Sequence, residues 1–311
     1  MVPVQSRIKS PSRALPIYAA VVVGFMVLVI LEGAIVRATG SGAGCGNHWP
    51  LCNGDFFPHH PRLATVIEYT HRSMTGFCTS LVAILIGWTF FARPKGDRAR
   101  RAVVWSGILL ITEALLGALL VKGGYVEHNA SNMRVVMQCI HFTNTMLLLA
   151  AITLTWWWLN DRPQPLTQLK PQAHTVAWIS LIATLFVGGT GSVAALADTL
   201  FPPTSLQAAF LQDFAANSPL LVRMRWLHPA TALIALSCAI WIAFQLRSRL
   251  GKLVLALVCA QIVLGAADVL LLAPTWLQVL HLLGADLYWI ALVVACATVL
   301  APAQAPAAIT P

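Results

Sequence analysis

The chain has 311 residues, of which 58% are hydrophobic and only 10% are charged. A soluble globular domain carries about 25% charged residues, so this composition excludes a water-soluble protein with an ordinary polar surface. The formal net charge of +9 is compatible with a nucleic-acid partner or with a membrane protein, and the distribution of the basic residues distinguishes the two.

Eight apolar runs indicate an all-α membrane protein, because a helix needs about 20 apolar residues to cross the hydrocarbon core. The predicted spans lie near residues 16–38, 68–92, 102–122, 134–159, 173–196, 219–246, 252–272 and 277–301. The first run is too long for the apolar core of a signal peptide. The basic segment before it, residues 1–15, is expected to be disordered.

The basic residues predict the orientation of these spans. Thirteen of the 20 Lys and Arg residues fall on the side of the amino terminus, and seven fall on the other side. The positive-inside rule then places both termini in the cytoplasm. The positive charge is therefore a topology signal of a multi-pass protein surrounded by lipid, and it indicates no nucleic-acid partner.

A glycine-rich turn, residues 39–44, follows the first span and leads into an outer loop with two cysteines, Cys45 and Cys52. The turn lacks the Lys-Ser/Thr of a phosphate-binding loop. If the loop faces an oxidising compartment, the two cysteines favour a disulfide, and two free thiols are the alternative. The other five cysteines lie in apolar spans, where cysteine is usually a small buried apolar residue.

The second span begins with a polar cluster that contains Glu68, His71 and Arg72. Each of these side chains is costly in an apolar helix unless it is paired or functional. A glutamate three residues before a histidine lies on the same helix face. The cluster therefore predicts a functional site at the outer membrane surface, and a simple ion pair of Glu68 with Arg72 or Arg62 is the alternative.

The last four spans repeat the polar pattern of the first four. The matched residues are His71 with His228, Glu113 with Gln261, Gln138 with Gln278, and His141 with His281. Four helices per repeat give both halves the same orientation, so the repeat is parallel. We predict two tandem four-helix bundles, residues 1–160 and 161–311, separated by a Pro-rich joint at Asp161–Pro165.

Four histidines, one on each even-numbered span, lie at a similar depth of roughly 5–15 Å below the outer surface. Two histidines on facing helices of a bundle can hold a haem iron axially. We therefore predict one haem site per half, between His71 and His141 and between His228 and His281. Zinc is the alternative, but it needs at least three protein ligands, and only Glu68 could complete such a set. The remaining histidines are expected to be solvated.

The two halves differ chemically beside their first histidine. Glu68 stands three residues before His71, whereas Arg225 stands three residues before His228. An acid in a low-dielectric site suits proton abstraction or the stabilisation of positive charge, and a cation suits pairing with haem propionates. We predict a catalytic first half and an electron-accepting second half. The candidate propionate partners are Arg37, Arg72 and Arg225.

Three motifs at the outer ends of the first two spans carry a family resemblance. They are Glu32-Gly33 with Arg37-Ala38-Thr39-Gly40-Ser41-Gly42, then Cys45 with Trp49-Pro50-Leu51-Cys52, and then Glu68-Tyr69-Thr70-His71-Arg72. With the later histidines in their expected spans, the chain resembles the haem A synthase family over nearly its whole length.

The resemblance implies an oxidoreductase that converts the methyl group at ring carbon 8 of haem O to a formyl group by successive oxidations, making haem A for terminal oxidases. The implied residues are Glu68 as the catalytic acid, His71 and His141 as axial ligands of the substrate haem O, His228 and His281 as axial ligands of the cofactor haem b, and the disulfide pair Cys45 and Cys52. It also implies a bacterial inner membrane, with haem sites near the periplasmic side.

Further partners implied by the resemblance are haem O synthase and cytochrome oxidase assembly factors, with a homo-oligomer as an alternative to a monomer. The chain departs from some bacterial relatives, because residues 197–218 lack a second cysteine pair. Any redox role of Cys45 and Cys52 would therefore have to work without a second cysteine pair.

The alternative function is a membrane dihaem b-type cytochrome that only carries electrons, and a transporter built from parallel repeats is a third interpretation.

Overall fold

The computed structural model describes residues 13–160 and 172–301, which form ten helices. Eight spans are long and apolar enough to cross a membrane, so the predicted all-α fold with eight transmembrane segments is confirmed. The helices are α1 Ala14–Ala38, α2 Leu63–Ala92, α3 Arg98–Lys122, α4 Asn132–Leu159, α5 Ala173–Leu200, α6 Leu206–Phe214, α7 Leu220–Arg223, α8 Leu227–Leu246, α9 Arg249–Leu270 and α10 Thr275–Leu300. Most of the predicted basic tail and the whole joint Asp161–Pro165 lie outside the described residues.

Several helices begin before the first residue predicted from hydropathy. The second span, for example, was expected from residue 68 and begins at Leu63. That start has no side-chain cap, whereas α3 and α4 begin at capping side chains, which bind free amide groups of the first turn. The Asp97 carboxylate accepts the Ala99 amide at 2.7 Å before α3, and the Ser131 hydroxyl caps α4.

The segment between α5 and α8 contains one helix that hydropathy did not predict and a division of a helix that it did predict. The sixth predicted span, near residues 219–246, is divided into α7 and α8, and the nine-residue α6 precedes it. One side of α6 is apolar and exposed, with Phe210 and Phe214 in contact at a ring separation of 4.9 Å. A helix this short is invisible to a search for membrane-length runs.

The core lies where the two halves meet. Helices α1 and α4 from the first half pack against α5 and α10 from the second half, and their buried residues form one continuous cluster. Trp289 on α10 donates a hydrogen bond to the backbone oxygen of Met146 on α4 at 2.8 Å. Helices α2, α3, α8 and α9 lie on the outside and expose apolar side chains, as lipid contact requires.

Candidate functional site

The four predicted histidines lie on four helices and are half-buried. The imidazole rings of His228 on α8 and His281 on α10 lie edge to face, with their centroids 6.1 Å apart and their planes at 83°. With metal–nitrogen bonds of about 2.0 Å, two imidazoles on one iron have centroids about 6 Å apart. The second-half pair therefore has the spacing of a bis-histidine haem site.

The first-half pair is also brought together. His71 on α2 and His141 on α4 are close enough to interact electrostatically. The other five histidines are exposed; they are His48, His59, His60, His128 and His174. The fold therefore separates four inward histidines from five solvated ones, as the sequence predicted.

A glycine on a neighbouring helix lies opposite each of the four histidines. A Cβ atom at these glycines would meet the facing imidazole at 3.1 Å for Gly33 and His71, 3.8 Å for Gly117 and His141, 2.9 Å for Gly191 and His228, and 3.2 Å for Gly265 and His281. The missing side chains leave room for each ring. The same pairing occurs in both halves, which supports the parallel repeat; the repeat itself stays a prediction.

The imidazole Nδ1 atoms have different surroundings in the two halves. His228 Nδ1 lies 3.2 Å from the backbone oxygen of Val187, within hydrogen-bond range. The Nδ1 atoms of His71, His141 and His281 are buried without a hydrogen-bond partner of good geometry. A metal-bound histidine usually donates its second ring N–H to an acceptor. These three Nδ1 atoms are therefore the places where such an acceptor would be expected if the histidines bind haem iron.

Sequence reasoning assigned no role to Glu113 on α3, yet this residue reaches the first-half site. One of its carboxylate oxygens lies 3.4 Å from His141 Nδ1. The carboxylate accepts hydrogen bonds from Asn144 Nδ2 at 2.6 Å and from the Thr145 hydroxyl. The repeat could have indicated a role for Glu113 from the sequence, because the matched residue in the second half is an uncharged amide, Gln261.

Glu68 is nearly fully buried, and its side chain is 4% exposed. Its Oε1 atom accepts hydrogen bonds from Arg72 Nη2 at 2.5 Å and from Arg72 Nε at 3.1 Å. Its Oε2 atom accepts the backbone amide of Cys45 at 2.7 Å. The ion pair with Arg72 is the alternative considered from the sequence, and the bond to the cysteine loop is new. A buried carboxylate is tolerated because both of its oxygens are satisfied.

The outer loop is fastened to α2 around this ion pair. Cys45 and Cys52 form a disulfide in the structure, and both are buried. Arg72 Nη1 donates to the backbone oxygens of His48 and Leu51 at 2.8 and 2.6 Å. The loop, the disulfide and the acidic residue of the predicted site therefore form one connected unit.

Replacing Gly44 by alanine should loosen this unit. A Cβ atom at Gly44 would collide with the backbone of α2 at Ala64 and Thr65, which cannot move aside as a side chain could. Overpacking of this kind costs about 1–3 kcal/mol. We expect a lower melting temperature in detergent for Gly44→Ala. Gly24→Ala is the control, because its Cβ would meet no atom within 4 Å; equal melting temperatures for both variants would contradict the contact.

Arg225 is bound by acidic partners. Its Nη1 atom lies 2.9 Å from Asp198 Oδ1, its Nε atom lies 2.8 Å from Asp213 Oδ1, and its Nη2 atom lies 3.2 Å from Gln212 Oε1. Asp213 and Gln212 belong to α6. The short helix that hydropathy missed is therefore attached through Arg225 to the outer end of the second-half site.

Arg37 joins the two halves near their outer ends. From α1 it donates through Nη1 to the backbone oxygen of Ala195 and to Thr199 Oγ1, both at 2.6 Å, and through Nη2 to Gln278 Oε1 at 2.8 Å. These partners lie on α5 and α10, and Gln278 stands three residues before His281. All of them are uncharged, unlike the carboxylate partners of Arg225.

The residues described, 13–160 and 172–301, contain no group of three or more His, Cys, Asp or Glu side chains placed to bind a metal ion. A zinc site in the first half would need Glu68, and the carboxylate of Glu68 is bound instead by Arg72 and the Cys45 amide. The zinc alternative from the sequence therefore gains no support from this geometry.

The fold and the site together define an eight-span membrane protein with two inward pairs of histidines. The model of the cytochrome oxidase assembly protein family, COX15-CtaA, matches residues 16–293. The chain therefore belongs to this family, which is the haem A synthase family predicted from its motifs.

Three curated relatives carry two different names. The chain is 40% identical over 284 residues to a protein of Thermus thermophilus named "Protoheme IX farnesyltransferase", covering 88% of this chain and 46% of the relative. It is 35% identical over 143 residues to a "Heme A synthase" of Alkalihalophilus pseudofirmus, covering 46% of this chain and 45% of that relative. It is 34% identical over 131 residues to a "Heme A synthase" of Bacillus cereus, covering 42% of this chain and 39% of that relative.

The chain thus spans less than half the length of each of these curated relatives. The names of the relatives describe whole proteins. Membership of the family and a multi-pass membrane fold follow for this chain, and the reaction, substrate and partners are proposed below.

Proposed function

We propose that this protein is a haem A synthase that oxidises the methyl group at ring carbon 8 of haem O to a formyl group. The observation that carries the proposal is the chemical difference between two otherwise matched histidine pairs. Glu68 and Glu113 accompany the first pair. At the matched positions of the second half stand Arg225 and Gln261. The first pair therefore has an acid beside each histidine, whereas the matched positions beside the second pair are a cation and a neutral amide.

The second half, within residues 161–311, holds haem b between His228 and His281 in this proposal. The ring separation of 6.1 Å, and the close approach of each ring to a glycine (Gly191 and Gly265) that leaves room for it, support this assignment. Haem b, when bound, supplies a one-electron acceptor for the oxidation of the substrate. The chain contributes the two imidazoles, the apolar surroundings and the exclusion of water.

The first half, within residues 1–160, binds the substrate haem O with His71 and His141 as axial ligands. Glu68 lies one helical turn from His71, at the outer edge of this site. Its carboxylate, buried beside Arg72, is placed to take up a proton from the reacting carbon or to stabilise positive charge that develops there. Burial strengthens both effects because little water screens the charge.

Among the candidate propionate partners, Arg37 has the strongest structural support. Its three acceptors are neutral, so a haem propionate would add a charge-assisted bond without displacing a carboxylate. Arg72 and Arg225 already bind Glu68 and Asp198. We propose that Arg37 binds a propionate directly, and that Arg72 and Arg225 do so after rearrangement or through their fixed positive charge.

The remaining parts of the proposal concern the surroundings of the protein. The Cys45–Cys52 disulfide favours an outer loop in an oxidising compartment, the periplasmic side of a bacterial inner membrane, with both termini in the cytoplasm. The proposed substrate, haem O, is itself a farnesylated haem, so a farnesyl group must first be added to protohaem. The Thermus relative carries the name of an activity that transfers farnesyl to protohaem, which supports a haem O synthase as a functional partner, alongside oxidase assembly factors.

Adding a methyl group at Gly191 should reduce the haem b content of the protein. A Cβ atom there would lie 2.9 Å from His228 Cε1 and would push the imidazole out of line, whereas the neighbouring Gly189 has open space at its Cβ position. We expect about a tenfold loss of haem affinity for Gly191→Ala and none for Gly189→Ala. Pyridine haemochrome spectra per mole of purified protein measure the difference. Equal haem content in both variants would contradict the assignment of His228.

The reaction itself is tested in cells that make haem O and lack their own haem A synthase. We expect membranes from cells that express this chain to contain haem A, identified by mass after extraction, together with the hydroxylated intermediate. Cells with the empty vector should contain haem O alone. Unchanged haem O in the presence of well-expressed, folded protein would refute the proposed reaction.

A further inference from the structure

A polar cluster lies between α3 and α4, behind the first-half histidine pair. Glu113 is its centre and accepts hydrogen bonds from Asn144 and Thr145 on α4. Asn144 is held in turn, because its Nδ2 atom also donates to the backbone oxygen of Leu109 at 2.9 Å and its Oδ1 atom accepts from the Thr112 hydroxyl at 2.7 Å. Asn144 is thus held by two further bonds, which restricts the orientation of the Glu113 carboxylate that it binds.

The second half has no such cluster at the matched positions. Gln261 replaces Glu113, Gly284 replaces Asn144, and Ala285 replaces Thr145, counting three and four residues from His141 and His281. The Gln261 amide nitrogen is buried without a hydrogen-bond partner and packs beside Gly284. His281 Nδ1 likewise has no partner. The three matched positions therefore form a charged network in the first half and a contact without a charge in the second half.

We infer that Glu113 is a positioning residue for His141, which accepts the Nδ1–H of this histidine and so directs its Nε2 lone pair towards the iron of the substrate haem. This inference rests on the proposed function, because it takes His141 as an axial ligand of haem O. A carboxylate bound to the second nitrogen of a ligating histidine fixes its tautomer and ring orientation and makes it a stronger electron donor. The neutral Gln261 side chain gives His281 no comparable partner.

The distance in the structure agrees with this role. His141 Nδ1 and Glu113 Oε1 lie 3.4 Å apart, and the contact falls outside good hydrogen-bond geometry. The other side of the His141 ring faces Gly117, which has no side chain that would block a rotation of the ring towards the carboxylate.

The consequence is a difference in electronic environment between the two haems. A more strongly donating imidazole stabilises ferric iron relative to ferrous iron, so the haem on His141 should have the lower reduction potential of the two. A haem held by His281 would then be the better electron acceptor of the two. Glu113 would contribute to this difference through His141, without touching the reacting methyl group.

The test exchanges the matched residues, with Glu113→Gln and Gln261→Glu compared in protein purified from cells that make haem O. We expect Glu113→Gln to raise the reduction potential of the first-half haem only, and to weaken its binding about 10-fold to 100-fold. Gln261→Glu should lower the potential of the second-half haem only. Redox titration followed in the visible spectrum separates the two haems, with a His228→Ala sample to assign the first-half signal.

Two outcomes would overturn the inference: an unchanged first-half potential in Glu113→Gln, or an equal shift of both haems, which would indicate a general change of structure. If Glu113→Gln does not fold, Glu113→Asp and Gln261→Glu decide the question, since the shorter acid should retain part of the low potential and the reciprocal variant should lower that of the second haem. Failure of the proposed function looks different, because the wild-type protein would then carry no haem that depends on His71 and His141.

Discussion

Replacing His228 or His281 by alanine should remove haem b and stop the formation of haem A, while haem O stays bound in the first half. Each variant removes one of two axial ligands from a site whose rings lie 6.1 Å apart. A single remaining imidazole cannot hold the iron on both faces. Because the first half keeps His71 and His141, it retains the substrate but has no acceptor for its electrons.

The measurement is the haem composition of the purified variants, by extraction and mass, beside the amount of haem A in the membranes. Haem b should fall at least tenfold per mole of protein. His174→Ala is the matched control, because that histidine is exposed at the start of α5 and should be neutral. If haem b stays bound in both His228→Ala and His281→Ala, the second-half site is wrong.

Replacing Glu68 by glutamine should lower the rate of haem A formation by about 10²–10⁴-fold, the usual contribution of a general acid or base, and leave haem b in place. Glutamine keeps the shape of the side chain and can still accept the Cys45 amide. It loses the negative charge that pairs with Arg72 at 2.5 Å. The rate is measured as haem A formed per mole of protein under equal haem O supply.

The control for Glu68 separates chemistry from loop anchoring. Thr65→Val removes a different bond between α2 and the same loop, from the Thr65 hydroxyl to the Gly44 backbone oxygen at 2.8 Å, and leaves the carboxylate untouched. We expect Thr65→Val to lower stability by about 1 kcal/mol and to retain most activity. An equal loss of haem A formation in both variants would make Glu68 an anchor of the cysteine loop instead of a catalytic residue.

The eight spans and the inward position of the histidines could be predicted from the sequence because both depend on local properties. A run of apolar residues needs only its own length to cross the membrane. A histidine repeated at one depth in four spans is visible in the chain itself. Hydropathy also predicted the ends of α1, α4 and α10 to within about two residues.

The features that could not be predicted from the sequence depend on contacts between residues far apart in the chain. The link between Arg37 on α1 and Gln278 on α10 joins residues 241 positions apart, and nothing local to either residue indicates it. The bond from the Cys45 amide to Glu68 requires the loop to fold back on α2. Glu113 could have been found from its amide counterpart Gln261, but only the structure shows that its carboxylate reaches His141.

The short helix α6 was missed for a different reason. Its nine residues form a short helix with one apolar side and one polar side. A search for membrane-length apolar runs cannot detect such a helix. The cap at Ser205 and the bonds from Arg225 to Gln212 and Asp213 hold it in place. The interruption between α7 and α8 contains the same arginine, which binds residues of both α5 and α6.

The most direct test of a substrate haem in the first half and a cofactor haem in the second is the identity of the haems bound to the purified wild-type protein. Extraction followed by mass analysis should find haem b together with haem O, its hydroxylated intermediate or haem A. His71→Ala should lose the farnesylated haems and keep haem b. Haem b alone in the wild-type protein, from cells that make haem O, would contradict the account and favour a dihaem electron carrier.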